Sequence, residues 1–273
     1  MTPRFRYVFV ILATLLALAL LGACGGDDSP SPTPSSVKGR AIVQMALAPP
    51  VPIDVSNAVQ TVLKDRLDAA GVQSTIALAS EEQIRIDFDG PHSVNFITDL
   101  VVTPGIRFKE PVLDGAAIKC KDTSGSEFSI DPEQLQLSGN LPFCLSADNR
   151  HGEIEWEPAV AQISGVNKEL SGAMLIKTQV ALPTNEAGDP VLNADFNEDG
   201  KAVLQAVTSN LVGYPLGVFL GDSLLLAGKI QRQIQNGRIT LAGASLDVME
   251  ELRAVIIGGE FPTTVNLVSI EEQ

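Results

Sequence analysis

Apolar positions along this chain recur with two periods, and the places where one gives way to the other lay out a mixed fold. Arg40 to Leu47 is apolar enough for a first strand, and Ala48 to Pro52 breaks it. Asp54 offers a helix N-cap. Val55, Val59, Val62, Leu63, Leu67 and Ala70 follow at helical spacing, with Lys64, Asp65 and Asp68 among the outward positions. Gly71 stands where a helix commonly ends on a left-handed residue. Ile76 and Leu78 alternate with small residues. Ile84, Ile86 and Phe88 alternate with Arg85, Asp87 and Asp89, the period of a half-buried strand. Val94 to Val101 predicts a short helix ended by Pro104-Gly105, and Ile106 and Phe108 mark another strand. The order is βαββαβ, which predicts an α+β sandwich with helices on one face of an antiparallel sheet.

From Glu110 to Trp156 the periodicity fades into turn formers, so the segment reads as an elaborated loop or small insertion. Regular structure returns near Gly172. Met174 to Leu182 and Pro190 to Phe196 predict strands, and a helix from about Asn197 carries Val203, Leu204, Val207 and Leu211 before Gly213. Leu216–Leu220, Leu224–Ile234 and Arg238–Leu241 read as short strands, separated by the hairpin signals Gly221-Asp222 and Asn236-Gly237. Ser245 caps a last helix with Leu246, Met249, Leu252 and Ile256; Gly258-Gly259 ends it, and Thr264 to Ile270 makes a final strand.

The N-terminus changes the picture from a free domain to an exported one. Arg4 and Arg6 precede an apolar run from Val8 to Leu21, interrupted only by Thr14 and too short for a typical membrane span. Leu21-Gly22-Ala23-Cys24 resembles a lipobox, in which diacylglycerol is attached to the cysteine before cleavage. Residues 1–23 then form a signal peptide, and the Gly-, Asp-, Ser- and Pro-rich stretch 24–38 a disordered tether. The competing reading is an uncleaved anchor helix with an incidental cysteine. The expected location is extracytoplasmic, with lipid on Cys24 anchoring the chain to the cell membrane. Losing Arg4 and Arg6, and no acid, takes the formal charge from −14 to −16, which disfavours nucleic acid as a partner. Cys120 and Cys144 remain as an even pair in a non-cytosolic compartment, either joined in a disulfide or unpaired.

Five stretches in order resemble the SecD protein-export family. Thr61 to Gly90 is similar to its first extracytoplasmic region, where a helix ending in Arg-x-x-(x)-x-Gly-Val leads into two strands. Leu170-Ser171-Gly172 with Gln179-Val180, and Asp195-Phe196-Asn197-Glu198-Asp199-Gly200 at a helix start, match further segments. Leu216 to Gly243 resembles its paired strands, and Leu252-Arg253-Ala254 through Gly258-Gly259-Glu260-Phe261-Pro262 resembles its Leu-Arg-x-Gly-x-Leu-Pro ending. Gly217 departs from the usual alanine, and Gly221-Asp222 inverts the usual Asp-Gly turn. The resemblance implies a ferredoxin-like βαββαβ base over 39–110, an inserted α+β head subdomain over 111–243 with the cysteine-bearing insertion, and a C-terminal helix and strand over 244–273 that return to the base. The six transmembrane helices that follow in the family, with their proton-coupling residues, have no counterpart before Gln273, so the motor activity is not implied.

Other chemistry is weakly signalled. Asp195-x-Asn197-x-Asp199-Gly200 matches the first half of a calcium loop, but position twelve is Ala206, and Asn197 as an N-cap accounts for the same residues. His92, at a Gly-Pro-His turn, and His151, beside Asp148 and Asn149, read as solvated loop residues rather than catalytic bases. Trp156 and Phe143 suit either core filling or an exposed peptide-binding face. No catalytic, metal or cofactor site is expected. The expected function is that of a membrane-tethered SecD-like accessory domain, binding unfolded exported polypeptide or the Sec translocon. The alternative is a structural or ligand-binding lipoprotein that reuses the head fold without a role in export.

Overall fold

A computed structural model of the chain describes residues 36–138, 141–185 and 187–273. Cys24, the signal peptide and most of the tether lie outside the described residues. Residues 35–273 form one compact unit.

The strand β1 (Val37–Met45) pairs antiparallel with β3 (Gln83–Gly90) on one side and with β18 (Val265–Glu272) on the other. With β2 (Gln73–Leu78) at the far edge, the order is β18-β1-β3-β2. Helices α1 (Ile53–Ala69), α2 (Val94–Val102) and α4 (Leu246–Gly258) accompany this sheet. Ala41, Val43, Met45, Ile84 and Ile86 of the sheet and Val59, Leu63, Leu67, Leu252 and Val255 of the helices are almost wholly buried in one core. The other parity of β1 and β3 carries the exposed ion pairs Lys38–Asp89 and Arg40–Asp87. That is the strand alternation expected of a one-sided sheet. The sheet therefore has the ferredoxin-like order. Its closing strand is β18, however, not the Ile106 strand that follows α2. β4 (Ile106–Pro111) instead pairs with β11 (Trp156–Pro158) and β15 (Pro215–Leu220) in a separate sheet, β11-β4-β15-β16, with β16 (Ser223–Lys229) at its edge. Pattern alone assigns each strand a buried face but no neighbour, so it reads sequence order as pairing order.

The segment read as loop is mostly strand. β5 (Leu113–Asp114), β6 (Ala117–Asp122), β7 (Glu127–Ile130), β8 (Gln136–Ser138), β9 (Leu141–Leu145) and β10 (His151–Ile154) form a small sheet of their own. Its buried cluster is only Ile118, Cys120, Ile130, Cys144 and Ile154. Short strands that bury one or two side chains each leave no run long enough to show a period. β12 (Val160–Ile163) and β13 (Val166–Glu169) make a hairpin.

Three further expectations change. Met174 to Leu182 is not a strand: 3-10 turns occupy Gly172–Met174 and Lys177–Gln179, and Leu175 and Ala181 make single bridges to Phe196 and Asn193. Consecutive apolar residues there plug the core instead of alternating. Asn236-Gly237 does form a turn, with Gly237 at a φ of 71°, but it does not join a hairpin. β17 (Arg238–Ala242) pairs with β14 (Val191–Asp195), not with β16. At the first helix the N-cap is Pro52, with no side-chain hydrogen bond; Asp54 lies in the first turn, where its charge suits the helix dipole. Asn197 and Ser245 cap α3 (Glu198–Asn210) and α4 as expected, accepting from the amides of Gly200 and Val248.

The two departures from the family pattern have local causes. A Cβ on Gly217 would stand 2.7 Å from the Phe219 ring and 3.1 Å from Trp156. In the turn between β15 and β16, Gly221 alone has a positive φ, 59°, which suits glycine at the first central position of a type II′ hairpin.

Candidate functional site

A wide recess follows from the way β17 pairs. β16 is the edge of one sheet and β17 the edge of another, and the chain between them, Ile230 to Gly237, loops across without pairing them. A groove of about 1080 Å³ opens between the two strands. Its apolar lining comes from Phe108, Leu216, Val218, Leu226, Ile239 and Leu241, all nearly buried.

Hydrogen-bond parity shows which main-chain groups face away from the paired neighbours. Ile230 N–H donates to Tyr214 at 2.8 Å, placing alternate residues of β16 on the β15 side and turning Ala227 and Lys229 outward. Phe196 N–H donates to Gly237 at 2.8 Å, and Asn193 exchanges hydrogen bonds with Ala181 on the far side of β14. Ile239 and Leu241 therefore pair with β14, and the peptide groups of Thr240 and Ala242 point away from it. Among the described residues, no other segment hydrogen-bonds the main chain of Thr240 or Ala242.

The rim is polar and partly basic. Lys229 pairs with Glu133 at 3.0 Å, and Arg238 with Asp195 at 2.6 Å. The Arg238 hydrogen bond holds the Asp195 carboxyl below the usual carboxylate range. Arg232 and Gln231 are exposed on the same rim. What this arrangement offers is an apolar floor between two unsatisfied strand edges, the elements of strand addition.

The other residues singled out in the sequence lie elsewhere. Cys120 and Cys144 are joined in a disulfide within the small sheet, their Cα atoms 6.3 Å apart. The half-calcium motif is taken up by protein contacts: Asp195 holds Arg238, Asn197 caps α3, and Asp199 meets Lys168 at 2.9 Å. His151 is exposed and stacks over Phe143, with ring centroids 5.9 Å apart. His92 is not a solvated loop residue. It is half-buried, stacks on Phe96 at 4.0 Å and donates through Nε2 to the carbonyl of Ala70 at 2.8 Å. Trp156 meets Phe219 edge-to-face and helps pack the seam between the small sheet and its neighbour.

Two buried charges escaped the sequence reading. Arg66 is wholly buried and donates to the carbonyls of Leu100, Thr103 and Gly259 at 2.9, 2.6 and 2.6 Å, with the Phe261 ring against its guanidinium. Burial lowers its pKa to about 9, so it stays charged at neutral pH. The available signal was its place three residues after Leu63, on the apolar stripe of α1. Glu251 is 8% exposed, and burial raises its pKa to about 7, with Asp99 adding to the rise.

The comparisons agree on one relationship. Residues 155–263 match the family model described as SecDF, P1 head subdomain. A protein translocase subunit SecD from Petrotoga mobilis is 22% identical over 253 residues, covering 87% of this chain and 51% of the relative. The chain thus spans about half the length of that curated relative. A crystal structure of SecDF in a super-membrane-facing form superposes with a TM-score of 0.56 at 17% identity, over 86% of this chain and 30% of the other. A solved structure of a membrane component SecDF that enhances protein export gives a TM-score of 0.55 at 18% identity, over 85% of this chain and 99% of the other. No helix among the described residues is long and apolar enough to cross a membrane. Residues 155–263 thus resemble the P1 head subdomain of SecDF, and the described body is similar in fold to the solved SecDF structures.

Proposed function

We propose that the protein is a SecD-like accessory domain on the outer side of the cytoplasmic membrane, and that it holds segments of exported polypeptide in the groove between β16 and β17. The observation that carries this reading is the pair of unsatisfied strand edges across an apolar floor. An unfolded chain leaving a membrane has free peptide groups, and when extended it turns every second side chain, apolar ones among them, to one face. A groove of this kind meets both needs without demanding a sequence. The relatives support the context, since one is a translocase subunit and another a component that enhances protein export. The Sec translocon is accordingly the proposed partner, and the base, with its charged outer sheet face, is the part that positions the head.

The lipid on Cys24 belongs to the same proposal. It would keep the body beside the membrane where chains emerge. Replacing Cys24 with alanine is expected to release the protein from the membrane fraction and to abolish labelling by a clickable fatty acid. Retained labelling would show that Cys24 is not the attachment point.

Thr240→Pro tests the groove. The Thr240 amide faces away from β14, so proline there removes an outward donor and leaves the ladder intact. Binding of a fluorescent, permanently unfolded polypeptide is expected to fall about tenfold, the loss of one good main-chain hydrogen bond. The melting temperature should move little. Unchanged affinity in a folded variant would count against strand addition.

A further inference from the structure

A second recess, remote in sequence from the groove, lies where the start of α2 meets α4. Its volume is about 290 Å³, and it is lined by Pro91, His92, Phe96, Asp99, Asp247 and Glu251, among others. Asp99 and Asp247 are exposed, whereas Glu251 is 8% exposed. No side chain or amide among the described residues donates a hydrogen bond to the Glu251 carboxylate. A carboxylate so enclosed, with no protein donor, meets only the little water that the recess admits, and a ligand that supplied donors would take the place of that water.

The surroundings specify the ligand's charge and size. Three carboxyl groups give the pocket an acidic character, so the ligand is cationic. No three carboxylate, imidazole or thiol groups among the described residues converge closely enough to hold a metal ion. The Phe96 ring, backed by His92 at 4.0 Å, is an aromatic wall of the kind that attracts an organic cation. Because Nε2 of His92 carries the proton given to Ala70, Nδ1 is left as the acceptor of the neutral ring. An ammonium group has three donors to satisfy. We infer that this pocket binds a primary ammonium group, with Glu251 as its buried acceptor and Asp99 and Asp247 as its outer ones.

The groups facing Glu251 are Asp99 on α2, His92 before it, Asp247 on α4 itself and the Arg66 guanidinium from α1. Arg66 is the only cation among them, and its donors go to main-chain carbonyls and not to Glu251. The ammonium could come from a free alkylamine or from a lysine side chain.

Titration of the full chain with propylammonium chloride, and separately with acetyl-lysine methylamide, distinguishes the sources. Amide NMR shifts of His92, Ser93 and Asp247 are the readout, with sodium chloride at equal ionic strength as the reference. The expected result is saturating shifts confined to the pocket, with affinity about tenfold weaker at pH 6 than at pH 8, because the bound form needs Glu251 ionised around its pKa of about 7. Glu251→Gln should remove the response, and Asp114→Asn, on the small sheet, should keep it. Saturation by both probes assigns a site that admits a lysine side chain; saturation by propylammonium alone confines it to small amines. Shifts that fail to saturate with either probe, that sodium chloride reproduces, or that persist in Glu251→Gln overturn the inference. Val248→Phe, which narrows the same recess without altering a charge, gives an independent loss of binding should Glu251→Gln fold poorly.

Discussion

The buried charges Glu251 and Arg66 show what one residue can decide. Glu251 shifts upward from 4.5 to about 7 on folding, so ionising it favours the unfolded chain. Its folded pKa lies above its unfolded one. The group therefore costs nothing below about pH 4.5, and its destabilisation is complete once pH passes about 7. Glu251→Gln is accordingly expected to be neutral at pH 4 and stabilising at pH 8, by about 3 kcal/mol at most. Denaturant unfolding at the two pH values checks this. A variant equally destabilised at both would show that the carboxylate serves the fold and not a ligand. Arg66 is the opposite case, a charge whose donors are nearly all satisfied by carbonyls at the ends of α2 and α4. A Cβ on Gly258 would collide with the Arg66 side chain, so the glycine that ends α4 also admits the arginine. Neither charge was legible from period alone. Each sits on an apolar stripe, where a polar residue reads as a lapse in the pattern rather than as a buried group.

At the scale of elements, the caps at Asn197 and Ser245, all four helices and the long alternating strands were plain in the sequence. Each of these depends on neighbours within a turn or a strand. The small sheet from Leu113 to Ile154 was not, because five buried residues spread over short strands leave no periodic trace. What compensates for so small a core is the disulfide between Cys120 and Cys144, which are 24 residues apart. A loop of that length is worth about 3 kcal/mol in denatured-chain entropy. Replacing both cysteines with alanine should lower stability by roughly that amount. Hydrogen exchange should then accelerate in β6, β9 and β10 while β1 and β3 keep their protection. Uniform acceleration would show that the small sheet unfolds only with the rest. Strand partnership was the other illegible feature. The Asn236-Gly237 turn is present, yet β17 goes to β14, and the groove exists because of that choice. No property of β16 or β17 taken alone announces that their edges are left free.

Over the whole molecule, β1 pairs with β18, whose first paired residue is Val265, and the ferredoxin-like sheet closes only when that strand returns to it. Everything from β4 to β17 is inserted between α2 and that return, so the groove-bearing strands stand on a sheet whose two halves are the ends of the described body. The acidity of the whole, −14 in formal charge, contrasts with the arginines and lysine along the groove rim. The most direct test of polypeptide holding is site-specific photo-crosslinking in membranes during export of a stalled secretory chain. Probes at Gln235 and Thr240, on the groove, and at Thr75, on the remote edge strand β2, would be compared. The account predicts crosslinks to the stalled chain from Gln235 and Thr240 and none from Thr75. Equal crosslinking from all three positions, or none from the groove, would contradict it.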